Sequence, residues 1–76
     1  MEKEIRDLFA TILQITPDEI NDDSTPKTVK TWDSLNHLNL IVAFEEEFSI
    51  DIEPEEIKGM MESFKKFKSI ILQKTG

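Results

Sequence analysis

The sequence contains no cysteine and only two glycines among its 76 residues. Without cysteine, the chain has neither a disulfide framework nor a thiolate metal site. With only Gly59 and Gly76, it has no glycine-rich loop of the kind that cradles phosphates. It also has no hydrophobic run of membrane-spanning length, and its first residues show no secretory pattern. These absences predict a cytoplasmic protein without a membrane span and without a bound metal.

Positive charge is scarce as well. The sequence has nine basic side chains and 16 acidic ones, which gives a net charge of −7. Nucleic acids and anionic membranes both require clustered Lys and Arg, so the charge argues against these partners. A chain of this length forms one small domain, residues 1–76, that buries only about 60% of its unfolded surface. We therefore expect a monomer without a deep active-site cleft.

The acidic side chains are concentrated in the middle of the chain. Residues 31–62 contain nine acids against Lys58 alone, a net charge of −8. Residues 63–76, in contrast, contain four lysines and no acid. An acidic run of this kind is commonly a solvated helix face. It can also be a docking surface for basic partners, and charge alone leaves both interpretations open.

Hydrophobic periodicity predicts helices and no convincing strands. The first helix ends at Thr16-Pro17, because the residue before proline is pushed away from α geometry. Thr16 is predicted to cap a short new turn that begins at Pro17 and points Ile20 inward. The apolar stripe of the first helix consists of Ile5, Leu8, Phe9, Ile12 and Leu13.

A long polar segment follows, and we interpret residues 21–33 as a loop pinned by Val29 and Trp32. A loop of this length in a small domain is often functional. The second helix is predicted to run from about Ser34 to Phe48, with Asp33 as its N-cap. Its apolar arc consists of Leu35, Leu38, Ile41, Val42, Phe44 and Phe48.

The remaining sequence predicts a short third helix and a longer fourth one. Pro54 with Glu55 and Glu56 is typical of a first helical turn, and Gly59 marks the frayed end of this third helix. Ser63 is predicted to cap the last helix, whose apolar face consists of Phe64, Phe67, Ile70 and Ile71. The predicted fold is therefore all-α: a four-helix bundle with three longer helices, a short third helix and a long loop between the first two.

Few side chains in this sequence could catalyse a reaction. The single histidine, His37, has no serine or cysteine partner at a known motif spacing, and we interpret it as a solvent-facing or half-buried residue without a catalytic role. A metal site would need further ligands at fixed spacing. Catalytic carboxylate pairs need an enclosing pocket, which a chain this short does not provide. We expect no catalytic residue and no enzyme activity.

One constellation points to a chemical modification, namely Asp33-Ser34-Leu35 at the junction of loop and helix. Ser34 is predicted to lie where backbone N–H groups lack partners and the helix dipole is positive. These groups would stabilise a phosphate attached to the serine hydroxyl. A serine at this position is usually only a helix cap, so the tripeptide alone does not distinguish the two roles.

The surrounding segment distinguishes them. Residues 32–52, WDSLNHLNLIVAFEEEFSIDI, resemble the central segment of the acyl carrier protein family, with the DSL motif, the EEEF run and the final IDI in the expected order. The flanking helices agree, so that the resemblance covers nearly the whole chain. It implies a right-handed up-down four-helix bundle in which Ser34 carries 4′-phosphopantetheine taken from coenzyme A. The thiol of that group would carry acyl groups as thioesters, and partner enzymes would perform the chemistry.

The resemblance also implies partners and their contact sites. The partners are a phosphopantetheinyl transferase and acyl-transferring or acyl-condensing enzymes with basic docking patches. The docking residues that it suggests are Asp33, Leu35, Glu45 and Glu46. An acyl chain can enter between the helices in this family, and methionine is pliant enough to repack around it. The candidate lining residues, each of which could equally be a simple core residue, are Leu38, Phe44, Met60 and Met61.

Two positions depart from the family pattern. Fatty-acid carriers usually have Asp and Glu where this chain has Asn36 and Asn39, and the loss of two charges should change which partners fit. We therefore expect a specialised carrier for a dedicated fatty acid, lipid or polyketide-type pathway. A carrier of aminoacyl groups is one alternative. A carrier-like helical interaction domain without a prosthetic group is another.

Overall fold

The computed structural model of the protein describes residues 1–75, in which four α-helices and one 3₁₀ turn account for the regular secondary structure. The helices are α1 (Glu2–Leu13), α2 (Ser34–Phe48), α3 (Pro54–Met60) and α4 (Phe64–Thr75), and the 3₁₀ turn is Pro17–Glu19. The described residues include no strand. The predicted all-α bundle, with its short third helix and its long loop between α1 and α2, is confirmed.

Helix α1 ends at Leu13, three residues before the predicted breaker at Thr16-Pro17. Gln14 closes the helix in the left-handed region at φ 59°. Thr16 then starts the 3₁₀ turn with Pro17 at its first position, and its backbone N–H donates to Glu19 Oε2 over 2.8 Å. Ile20 is only 4% exposed, so the turn directs this side chain into the core as predicted.

The core is built around the ring of Phe9. The Phe9 centroid lies 5.0 Å from that of Trp32, 4.9 Å from Phe64 and 5.1 Å from Phe67, each in an edge-to-face arrangement. Phe67 makes a similar contact with Phe44 at 4.9 Å. Aromatic pairs of this geometry contribute about 0.5–1.5 kcal/mol each beyond their buried area. The aromatic cluster thereby joins α1, the loop, α2 and α4.

The long loop is held in place at several points. Val29 and Trp32 are buried, which confirms that these two residues pin it. Ser24, which no sequence pattern singles out, is 5% exposed, and its carbonyl oxygen accepts the N–H of Phe64 over 2.8 Å. The first N–H groups of a helix have no intrahelical partner, so this bond lets the loop cap α4 from outside.

The structure corrects the predicted orientation of α2. Its buried residues are His37, Leu40, Ile41 and Phe44. Three members of the predicted apolar arc instead lie at the surface, since Leu35 is 71% exposed and Leu38 and Val42 are each 54% exposed. The apolar arc is wider than the strip that the bundle can cover. At about 100° per residue, the buried set is centred roughly opposite Leu35 and Val42.

The connection from α2 to α4 is largely as predicted. Ser49 ends α2 in the left-handed region at φ 54°, and residues 50–53 form an irregular connector. The short helix α3 begins at Pro54 and continues through Gly59 to Met60, one residue beyond the predicted end. Ser63 Oγ accepts the N–H of Lys66 over 3.1 Å, which confirms Ser63 as the cap of α4.

Candidate functional site

Ser34 is the first residue of α2, and it is exposed. Asp33 caps the helix, because its Oδ1 accepts the N–H of Asn36 and its carbonyl oxygen accepts the N–H of His37, both over 2.8 Å. Within residues 1–75, no acceptor is bonded to the backbone N–H of Ser34 or Leu35. The Ser34 hydroxyl therefore lies beside two available donors at the positive end of the helix dipole, which favours an attached anionic group.

The turn before Ser34 is held by two asparagine side chains. Asn36 Nδ2 donates to the carbonyl oxygen of Thr31 over 2.8 Å, and Asn39 Nδ2 donates to Asn36 Oδ1 over 3.2 Å. The N–H of Asp33 also reaches the carbonyl oxygen of Thr31, at 3.0 Å. A carboxylate at position 36 could not donate to that carbonyl. The Asn36 amide thus has a structural role that a carboxylate at this position could not perform.

An exposed apolar strip follows Ser34 along α2. Leu35, Leu38 and Val42 are more than half exposed, at the i, i+3, i+7 spacing that places them on one helix face. The chain has no Asp, Glu, Lys or Arg between Asp33 and Glu45. We call this uncharged surface, Leu35, Leu38 and Val42, the outer face of α2.

The four predicted docking residues have different environments. Asp33, Leu35 and Glu46 are all exposed. Glu45 is only partly exposed, and its Oε2 accepts the N–H of Ile52 over 3.0 Å. This bond ties the end of α2 to the connector, so Glu45 has a structural contact that Glu46 lacks.

The four predicted lining residues are likewise divided. Phe44 and Met60 are fully buried members of the same core. Met61 is partly buried and packs against that core. Leu38 is 54% exposed and belongs to the outer face of α2, so the structure does not place it among the other three.

The interpretation of His37 as solvent-facing or half-buried was wrong, because only 3% of this residue is exposed. Its Nδ1 accepts the indole N–H of Trp32 over 3.0 Å, and its Nε2 lies 2.7 Å from the carbonyl oxygen of Ile57. The indole can only donate, so Nδ1 carries no proton and Nε2–H is the donor to Ile57. Both ring nitrogens are satisfied, which makes burial of the imidazole acceptable.

Burial also sets the charge state of this histidine. Removal from water lowers the pKa of His37 below its ordinary value, and the nearby Ile57 carbonyl only partly opposes the effect. The one sequence signal for this burial is spacing, since His37 shares an i, i+3, i+4, i+7 pattern with Leu40, Ile41 and Phe44. Because the first position of this pattern is the polar residue His37, apolar periodicity alone does not reveal it.

Two lysines of α4 form ion pairs. Lys68 Nζ lies 2.8 Å from carboxylate oxygens of both Glu2 and Asp22, and Lys74 lies 2.8 Å from Glu56. Hydrogen bonds from these lysines hold the pKa values of the three carboxyl groups below their usual range. Lys68 thus joins α4 to α1 and the loop, and Lys74 joins it to α3.

Comparison with known proteins identifies the family. The family profile described as "Phosphopantetheine attachment site" matches residues 3–67, a span that includes Ser34. An acyl carrier protein of Picosynechococcus sp. is 32% identical over 72 residues, which cover 95% of this chain and 88% of that protein. The chain therefore belongs to the acyl carrier protein family, whose members carry a covalently attached 4′-phosphopantetheine.

The residues present fit this group. An exposed hydroxyl at Ser34 and two available N–H groups can hold its phosphate, and the group supplies a thiol that forms thioesters with acyl chains. The family is one of non-catalytic carriers. None of the helices that the structure describes is long and apolar enough to cross a membrane.

Proposed function

We propose that the protein is an acyl carrier in which 4′-phosphopantetheine is attached to the Ser34 hydroxyl. The observation that supports this position is the exposed hydroxyl at the start of α2, beside the available N–H groups of Ser34 and Leu35. A phosphodiester there is stabilised by these donors and by the helix dipole. The protein supplies attachment and delivery, and tethering keeps the bound acyl group at a high effective concentration for a docked enzyme.

Partner enzymes are proposed to dock on the outer face of α2. Apolar surface that becomes buried on docking contributes about 25 cal/mol per Å². Asp33 and Glu46 are exposed carboxylates near the two ends of this face, where basic side chains of a partner can pair with them. Glu45 is held by its bond to Ile52 and is less exposed than Glu46, so it is the less accessible of the two to a partner.

The amides at Asn36 and Asn39 support a specialised role. A cation of a partner that faced this uncharged part of α2 would lose water without gaining a counter-charge. The fitting partners therefore have a docking surface that is apolar along Leu35, Leu38 and Val42 and basic only at its two ends, opposite Asp33 and Glu46. We propose that such enzymes belong to a dedicated fatty acid, lipid or polyketide-type pathway.

Longer acyl chains are proposed to shelter between α2 and α3, beside Phe44 and Met60. Both side chains are fully buried, and Met61 borders the same core. Methionine repacks readily around a guest because it is unbranched and flexible. Leu38 would reach such a chain only from the outer side of α2.

The attachment site is tested by intact mass after incubation with coenzyme A and a phosphopantetheinyl transferase. The wild-type chain should gain the mass of one phosphopantetheine, and Ser34→Ala should gain none. Ser69→Ala changes another exposed serine, on α4, and should be modified like the wild type. A wild-type chain without added mass would be a helical interaction domain instead, and added mass on Ser34→Ala would move the attachment to another residue.

A further inference from the structure

The hydrogen bonds of His37 join three separate segments of the chain. Trp32 belongs to the loop and lies two residues before Ser34, His37 lies in the first turn of α2, and Ile57 lies in α3. The relay runs from the Trp32 indole N–H to His37 Nδ1, and from His37 Nε2–H to the Ile57 carbonyl oxygen. We propose that His37 is a positioning residue that couples α3 to the turn bearing Ser34.

The carbonyl oxygen of Ile57 depends on this histidine. The last four carbonyl groups of an α-helix have no intrahelical N–H partner. In α3, the carbonyl oxygens of Lys58 and Gly59 accept the N–H groups of Met61 and Glu62. These bonds leave the Ile57 carbonyl to the imidazole, so His37 caps the end of α3 from a neighbouring helix.

The relay cannot be broken at one end without a consequence at the other. If α3 moves away and the imidazole stays, His37 Nε2–H and the Ile57 carbonyl are left unpaired inside the core. If the imidazole moves with α3 instead, its hydrogen bond to the Trp32 indole N–H is lost. Trp32 is 1% exposed and packs edge-to-face against Phe9, so water cannot readily replace the lost partner. The ring of Phe67 lies 6.2 Å from His37 and encloses the same site.

This coupling gives α3 an effect on the docking side of the protein. This step rests on the proposed function, in which a long acyl chain enters between α2 and α3. Its entry requires α3 to shift. The relay transmits that shift to Trp32 and hence to the Asp33–Leu35 turn. A partner that contacts this turn therefore meets one arrangement in the unloaded carrier and another in the loaded carrier.

The test compares the carrier loaded with an acetyl group and with an octanoyl group, each verified by intact mass. Trp32 is the only tryptophan, so its fluorescence reports on the relay directly. We expect octanoyl loading, but not acetyl loading, to shift the Trp32 emission and to speed hydrogen exchange of α3 amides by about tenfold or more. In His37→Leu, which lacks the relay, the Trp32 emission should no longer respond to chain length.

Two further variants keep the test interpretable. His37→Gln can accept from Trp32 and donate to Ile57, so it should restore the response. If His37→Leu does not fold, the comparison of acetyl and octanoyl loading in the wild-type chain still tests the coupling. Ile71→Val weakens the core without touching the relay and should keep the wild-type response. An octanoyl carrier with unchanged Trp32 emission, or a His37→Leu carrier that responds like the wild type, would overturn the coupling. Failure of loading itself would instead contradict the proposed function.

Discussion

Asn36 donates its side-chain N–H to the carbonyl oxygen of Thr31 over 2.8 Å, across the turn that leads into Ser34. Asn36→Asp should remove this bond and place a carboxylate against the carbonyl. We expect a loss of about 1–2 kcal/mol in the free energy of unfolding, measured by urea denaturation. Asn39→Asp is the matched control, because it leaves the Thr31 bond in place and removes only the exposed 3.2 Å bond to Asn36 Oδ1. It should change stability by less than about 0.5 kcal/mol. Equal stability of the two variants would show that the Thr31 bond is unimportant.

The buried neutral state of His37 predicts a pH dependence of stability. Its pKa in the folded protein lies below the ordinary value of about 6.5, which applies to the unfolded chain. As the pH falls through about 6.5, the unfolded state binds a proton that the native state does not. The free energy of unfolding should therefore fall with decreasing pH, until the pH passes below the pKa of the folded state.

The control for this effect is His37→Gln, which cannot titrate. Its stability should stay nearly constant between about pH 7.5 and 5.5. The charged groups on the elements packed against His37 do not obscure the comparison. Glu56 and Lys74 pair with each other, Lys68 pairs with other residues, and the remaining charged side chains of α3 and α4 are exposed: Glu55, Lys58, Lys65 and Lys66. A wild-type profile as flat as that of the variant would contradict the buried neutral histidine.

Substitutions on the outer face of α2 should affect docking without affecting stability. Leu35→Ala and Leu38→Ala remove exposed side chains and should change the free energy of unfolding by less than about 0.5 kcal/mol. Both should raise the apparent KM for the phosphopantetheinyl transferase. Leu40→Ala, on the buried side of the same helix, should instead cost about 2–5 kcal/mol. Unchanged KM values for both surface variants would remove the outer face from the docking surface.

We expect substitutions of the neighbouring residues Glu45 and Glu46 to have different effects, one on stability and the other on docking. Glu45→Ala should destabilise the fold by about 1 kcal/mol, because the N–H of Ile52 loses its acceptor. Glu46→Ala should leave stability unchanged and weaken docking, most clearly at low salt, since its exposed charge is available to a basic partner. Thermal unfolding and transferase kinetics of the two variants, compared at low and high salt, distinguish the two roles. Similar effects of both substitutions would refute the division.

Much of this fold was predictable because prolines and capping residues in the sequence mark where its helices begin. Pro17, Asp33, Pro54 and Ser63 each start an element where the sequence predicts it. The rotation of α2 was not predictable in the same way. Its sequence is apolar over about half its circumference, and only packing against the rest of the bundle decides which part is buried. The contacts of His37 and Phe44 with Phe67 are part of that packing.

Part of the candidate site was therefore visible in the sequence and part was not. Ser34 and its cap were identified from a helix start and a family segment. The relay of Trp32, His37 and Ile57 depends on contacts across 20 positions of the chain, which no local pattern reveals. The sequence predicted a solvent-facing or half-buried histidine, because burial of His37 requires two specific partners that lie elsewhere in the chain.

The bonds from the loop to α4 have a consequence for the order of events during protein synthesis. The N–H groups of Phe64 and Lys65 bond to the carbonyl oxygens of Ser24 and Asp22, so the loop reaches its final form only when α4 is present. Ser34 lies at the end of that loop, about 30 residues before α4 begins. The segment that contains α4 must therefore be synthesised before Ser34 reaches its native setting.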